Sequence, residues 1–378
     1  MCRNIFAISI IGFLLITGCK KKEEYQAQQN SNSQSISGLL TSNDTLLSYE
    51  DLGLKKLSDY GFFNQPLNKL IPANNQVVPY ELNSPLFTDY ASKKRFIWLP
   101  EGSQLSYVKD ESVFNFPNGA VIIKNFYYKN EELKTEEDII IETRLLIKDE
   151  KTKQWKTLPY IWNEEQTEAY LYILGKDIDL IIERNDADNK QIAFKYSVPN
   201  INMCKNCHVK DQTIVPLGPT PRQLNMKHVF QDSIVKNQLA YLKDNKMLKD
   251  LDNLDAVHKF PNYLDPNSGS LNERARAYLD VNCAHCHQDG GSAKTSGLHL
   301  VYSETDQYKL GINKPPVAAG KGSGNLSYDI VEGKPNESIL LFRMKHLEPD
   351  IVMPEIGKNL VHTEGVKLID AWIASLGN

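Results

Sequence analysis

The chain has 378 residues, with 43 Lys and Arg against 47 Asp and Glu, for a formal net charge of −4. That length accommodates two domains with sizeable cores. Neither the charge balance nor the ordinary 41% apolar composition points to a nucleic acid or an acidic ligand as partner.

Residues 1–18 read as a signal peptide: Arg3 supplies the positive start, and Ile5 to Ile16 is an apolar core too short to span a bilayer. The segment ends Leu15-Ile16-Thr17-Gly18-Cys19. This resembles the lipobox of bacterial lipoproteins, which implies cleavage before Cys19 and lipidation of its thiol. Acyl chains on one cysteine hold a protein at a membrane by apolar burial, at roughly 0.8 kcal/mol per methylene. The expected location is therefore the periplasmic side of the cell envelope, on a bacterial membrane and most simply the outer one. Residues 19–45 are rich in Lys, Glu, Gln, Asn and Ser and read as a flexible tether.

Residues 46–200 carry a strand pattern. Arg95 to Leu99, Ala120 to Tyr128, Ile139 to Lys148, Ala169 to Leu174, Ile178 to Ile182 and Ile192 to Val198 are short and rich in β-branched and aromatic residues. Turn chemistry such as Pro117-Asn118-Gly119 and Asp186-Ala187-Asp188-Asn189 separates them. The spacing predicts an antiparallel, β-sandwich-like domain. It holds no His, Cys or Met, so it offers iron none of its usual side-chain ligands.

The six cysteines stand at 2, 19, 204, 207, 283 and 286. The last four form two copies of one pattern, Cys204-Lys205-Asn206-Cys207-His208 and Cys283-Ala284-His285-Cys286-His287. C-x-x-C-H is the attachment pattern of a c-type haem: two thiols add to the macrocycle and the histidine binds its iron. In an exported chain, thioether bonds would also protect the thiols from oxidation. The expected cofactors are two covalent haems c and their iron, held by Cys204, Cys207 and His208 and by Cys283, Cys286 and His287. Zinc is the competing reading, because two C-x-x-C pairs also make a four-thiolate site.

The first motif closely follows the strand region and precedes Pro216-Leu217-Gly218-Pro219. In small c-type cytochromes a similar Gly-Pro segment puts a backbone carbonyl on the second nitrogen of the haem histidine. Met226, His228, Met247 and His258 are candidates for the far side of this iron. Residues 233–251, with Ile234, Leu239, Leu242, Leu248 and Leu251, predict a helical connector within a region spanning 201–269.

The second motif has more context. Ser270-Leu271-Asn272-Glu273 is a capping box that starts a helix running into Cys283. Pro349-Asp350-Ile351-Val352-Met353-Pro354 is an extended loop able to present the Met353 thioether to iron, which raises the potential of a His-ligated haem. Met344, in a predicted helix from Ser338 to His346, reads as packing, and His285 as exposed. A terminal helix follows, with Ile369, Trp372, Ile373 and Leu376 on its apolar face. This order over 270–378 resembles the small cytochrome c fold. The resemblance implies an all-α domain whose first and last helices cross, with His287 and Met353 as the axial pair.

The whole chain also resembles a family of bacterial two-haem cytochromes, through Asn83-Ser84-Pro85-Leu86-Phe87-Thr88-Asp89-Tyr90, Arg222-Gln223-Leu224-Asn225 and the two motifs. That implies an α+β multidomain protein, β-rich and then cytochrome c-like, but no substrate. The expected function is electron transfer with redox protein partners in the envelope, membrane attachment through Cys19, and no nucleic acid. The alternative is a peroxidase-like oxidoreductase using the first haem as an open catalytic site.

Overall fold

A computed structural model describes residues 52–184 and 191–377. The signal peptide, Cys19, the tether and the turn around Asp186 lie outside the described residues.

Six strands form one antiparallel sheet: β1 (Val77–Tyr80), β2 (Ser92–Trp98), β3 (Val121–Tyr128), β4 (Ile139–Lys148), β5 (Trp155–Trp162) and β6 (Ala169–Leu171), adjacent in chain order. Side chains alternate between its faces. One face carries Phe96 and Trp98 against Phe63 and Phe62 of the preceding segment. A buried polar chain crosses the same face, with Trp162 donating to Thr143 Oγ1 at 2.9 Å and Thr143 to Asn125 Oδ1 at 2.6 Å. The other face packs Ile97, Ile122 and Leu146 against Leu224, Leu239 and Leu248. Further along that face the cross-strand register places Arg95 opposite Lys124 and Lys124 opposite Arg144. A separate hairpin, β7 (Lys176–Glu183) with β8 (Gln191–Val198), then leads into helix α1 (Ile201–His208).

The predicted helical connector is mostly not helical. Val235–Asn237 is extended, and only α2 (Gln238–Asp244) is helical. Asn237 starts that helix by accepting from the amides of Leu239 and Ala240, and Lys246 at φ 57 lies just beyond its end. Leu239, Leu242, Leu248 and Leu251 are all buried, so their spacing records one core reached from three short pieces.

The expected pairing of a β-sandwich-like domain with an all-α C-terminal domain is overturned. The fold is mixed α/β, dominated by the large antiparallel sheet, and no all-α domain forms. Beyond residue 270 there are three α-helices among the described residues, α3 (Leu271–Asn282), α4 (Ile339–Lys345) and α5 (Thr363–Ser375). The chain between α3 and α4 is rich in Gly and Pro and folds as turns and short 3-10 pieces, since these residues interrupt helices. This region also buries its surface against the sheet domain. Arg222 pairs with Asp280 at 2.7 Å, Asn282 Oδ1 accepts from the Phe87 amide, and Tyr263 donates to the Pro85 carbonyl. Residues from Leu54 onward belong to one compact unit.

Helices α3 and α5 pack on each other. A side-chain carbon at Gly365 would lie 2.4 Å from the Tyr278 ring, so the close approach requires glycine. Trp372 donates to Asn272 across the pair. Among the described residues no helix is long and apolar enough to cross a membrane.

Candidate functional site

The first motif lies wholly within α1. Asn200 caps that helix by accepting from the Met203 amide at 2.8 Å. Beyond it, Val209–Lys210 pairs with Thr213–Ile214 and turns the chain back over His208. The Val215 amide donates to the His208 carbonyl at 2.7 Å, and His208 Nδ1 lies 2.8 Å from the Val215 carbonyl. A carbonyl only accepts, so Nδ1 carries the proton and Nε2 keeps its lone pair. Burial holds His208 neutral by pulling it down to about 4. The backbone acceptor expected from the Pro216–Pro219 segment is supplied instead by Val215, one residue ahead of it.

The second motif begins where α3 ends. The capping box is formed, with Ser270 Oγ accepting from the Glu273 amide and Glu273 accepting from the Ser270 amide. The chain continues for one more turn, and the His287 amide donates to the Cys283 carbonyl. Gly291 passes so close to the Cys286 carbonyl that a side-chain carbon there would sit 2.4 Å away. His287 Nδ1 lies 3.0 Å from Ser296 Oγ, whose own proton goes to the Ala293 carbonyl. The serine therefore accepts, and again Nε2 is left with its lone pair. Burial pulls His287 down to about 4 as well.

Two cavities adjoin these residues. The larger encloses about 1360 Å³, part of it open to solvent, and is lined by Cys204, Cys207, His208, Cys283 and His285. The smaller encloses about 620 Å³ and is lined by Cys283, His287, Ser296 and Met353. Met353 borders both. Its amide donates to the Arg343 carbonyl, and its carbonyl accepts from the buried Lys358 ammonium, which also donates to the Met344 and His346 carbonyls.

The two motifs meet. Ligand atoms of Cys207, His285 and Cys286 all lie within 4.8 Å of one another. Ser292 Oγ donates to the Asn206 carbonyl at 2.8 Å, and the Asp211 amide donates to the Gly290 carbonyl. The Cys207 and Cys286 thiols face each other, and their contact favours the ionised form of Cys286 and disfavours that of Cys207. Burial pushes Cys283 up to about 12. His285, expected to be exposed, is half-buried between the motifs.

Among the described residues the four free cysteines, two neutral histidines with lone pairs available and a methionine that lines the smaller cavity with His287 form a donor set that fits two c-type haems. The Cys207–His285–Cys286 trio would satisfy three positions of a zinc site but leaves out Cys204, Cys283, His208 and His287.

None of Met226, His228, Met247 and His258 lines either cavity. Met247 is in the sheet-side core and His258 is exposed. The larger cavity is instead bordered by His362 and Met344. His362 is buried, stacks on Phe87 at 4.1 Å and places Nδ1 3.2 Å from the Tyr278 hydroxyl. No local pattern marks it, for it occupies the N-cap position of α5 without capping through its side chain. Lys124 and Arg144 also line this cavity, from a strand region with no iron ligand of its own. Burial, and then the Arg95 and Arg144 charges, pull Lys124 down to about 7. Comparison with protein-family models, with curated proteins and with solved structures finds no match to this chain.

Proposed function

We propose that the chain is a two-haem c-type cytochrome serving electron transfer in the cell envelope, tethered through a lipid on Cys19. The observation that carries this reading is the shared tautomer at the two motifs. His208 is half-buried and His287 buried, and each has Nδ1–H committed and Nε2 left to bind a metal, beside a cavity lined by cysteine of its own motif. Haem held there would supply a one-electron couple at its iron. The chain's own part is to fix the group and exclude water. Cys204 and Cys207 would hold one haem and Cys283 and Cys286 the other. His208 and His287 are oriented by Val215 and Ser296, and Met353 is the far-side candidate for His287. The contact of Cys207 with Cys286 brings the two attachment points together, which suits a relay within one chain.

The test is a haem stain and an intact mass after denaturing separation, on protein made with the haem-attachment machinery. Two macrocycles per chain are expected; none would sink the reading. The alternative is an oxidoreductase with an open first site, and it requires that His362, Met344 and Met353, which border the larger cavity, all stay off the iron. A high-spin ferric signal from the first haem would support that alternative, and a low-spin signal the relay.

A further inference from the structure

Four cations stand on the cavity side of the sheet: Lys93, Arg95, Lys124 and Arg144. Three of them surround the Phe126 ring, with Lys124 Nζ at 4.8 Å, the Arg144 guanidinium at 4.4 Å and Lys93 Nζ at 5.9 Å from its centroid. Like charges directly opposite one another destabilise a sheet, so each needs a partner. Arg95 has Glu81 at 2.9 Å. Arg144 has Glu142 through two hydrogen bonds, and the same carboxylate accepts from Tyr196. Lys93 donates to the Leu86 and Ala91 carbonyls. Asp89, the remaining nearby carboxylate, accepts from the amides of Asn359 and Leu360.

Lys124 is left over. Among the described residues its ammonium has no hydrogen bond and no ion pair. It is partly buried, in the wall that also holds Arg144, Cys204, Cys207 and His208. Its compensation is the Phe126 ring and the more distant charge of Glu142, which is already paired with Arg144, and a cation without an ion pair in such a place is costly unless an anion meets it.

We propose that Lys124, with Arg144 beside it, is a subsite for a carboxylate in the larger cavity. The carboxylate comes either from an acidic side arm of the bound macrocycle or from a free small organic acid. The first source rests on the haem reading above; the second does not.

The test uses the full-length, haem-loaded chain as wild type, Lys124→Met and Lys124→Arg. Thermal midpoints are measured, and succinate is titrated against chloride at equal ionic strength. If the macrocycle supplies the carboxylate, Lys124→Met lowers the midpoint, Lys124→Arg restores it, and succinate changes nothing. If a free acid is the ligand, succinate binds the wild type and binds Lys124→Met roughly tenfold more weakly, the loss of one charge-assisted hydrogen bond. A Lys124→Met midpoint equal to or above wild type, with no succinate binding, overturns the proposal, because removal of an unpaired charge would then be neutral or favourable. An intact mass without macrocycle removes the haem reading and the first source together. The succinate titration then decides the proposal alone.

Discussion

The two C-x-x-C-H motifs share their cysteines and histidine but sit in unlike surroundings. The first is helical throughout and hangs from a hairpin beside a sheet face studded with cations. The second lies past the end of a helix, in a region of glycine-rich turns, and Met353 borders its cavity as well as that of the first. The histidine of the first is oriented by a main-chain carbonyl, that of the second by a side-chain hydroxyl. The motif residues are alike, and the surrounding chain sets which groups line each cavity and how rigidly each imidazole is held. With haem bound as proposed, a low-spin second site is expected, and the first is the place where a ligand could differ.

The largest effect should come from the attachment residues. Replacing Cys283 and Cys286 by Ala is expected to halve the covalent haem per chain by mass, leaving the first site loaded. Met353→Ala should keep both haems but remove the low-spin signal of one, read in absorption and magnetic spectra. Loss of both signals together would break the distinction between the sites.

The loop at 83–90 serves both regions, and Asp89 is its link. Burial raises this carboxyl from its ordinary 3.8 to about 6, against the opposing pull of the Asn359 and Leu360 amides and of the Lys358 and Lys93 charges. The unfolded chain ionises near 3.8, so between that pH and about 6 the folded chain holds the extra proton. Stability from this group is full below 3.8, falls as pH rises through the window, and is level above it. The difference corresponds to about 3 kcal/mol at ~1.36 kcal/mol per pH unit. Asp89→Asn retains an acceptor for both amides and should flatten this part of the profile in denaturant titrations from pH 4 to 7. An unchanged slope would remove Asp89 as its source.

What was legible in the sequence follows from the range of the interactions involved. The motifs, the Ser270 capping box and the strands around Ile122 and Leu145 are set by neighbours a few residues away, so pattern reveals them. His362, Lys124 and Arg144 reach the larger cavity only through pairings across the sheet and between distant segments, and no local spacing marks them. Bulk charge hid the cation row because four cations vanish among the 43 Lys and Arg and 47 Asp and Glu of the whole chain. The all-α expectation failed for a related reason. Order along the chain was compatible with a separate helical domain, but the turns between α3 and α4, the stacking of Phe87 on His362 and the bonds of Asp89 to the Asn359 and Leu360 amides joined it to the sheet domain.

Helix contact near the second motif gives a smaller test. Gly365→Ala would gain helix propensity, worth about 1 kcal/mol in a helix interior. The added carbon, however, meets the Tyr278 ring at 2.4 Å. Overpacking should win and destabilise the chain by roughly 2 kcal/mol. The first-site signal should be the less affected, since Tyr278 and Gly365 belong to the two helices of the second region. Denaturant unfolding followed at both haem signals would show whether the regions respond separately.

The smallest expected effect separates the two histidines most directly. Ser296→Ala removes the acceptor of the His287 Nδ1 proton, together with the bond from the serine to Ala293. A buried ring N–H then has no partner, at a cost of about 1 kcal/mol. The imidazole also loses its fixed orientation and becomes less electron-donating, because a hydrogen bond from Nδ1–H raises the basicity of Nε2. A weaker donor favours reduced iron, so the potential of the second haem should rise while that of the first stays put. No equivalent substitution exists for His208, whose acceptor is the Val215 main chain. Potentiometric titration resolving the two haems reads this directly; equal shifts at both would mean that the sites are coupled through the Cys207–Cys286 contact more strongly than their separate surroundings distinguish them.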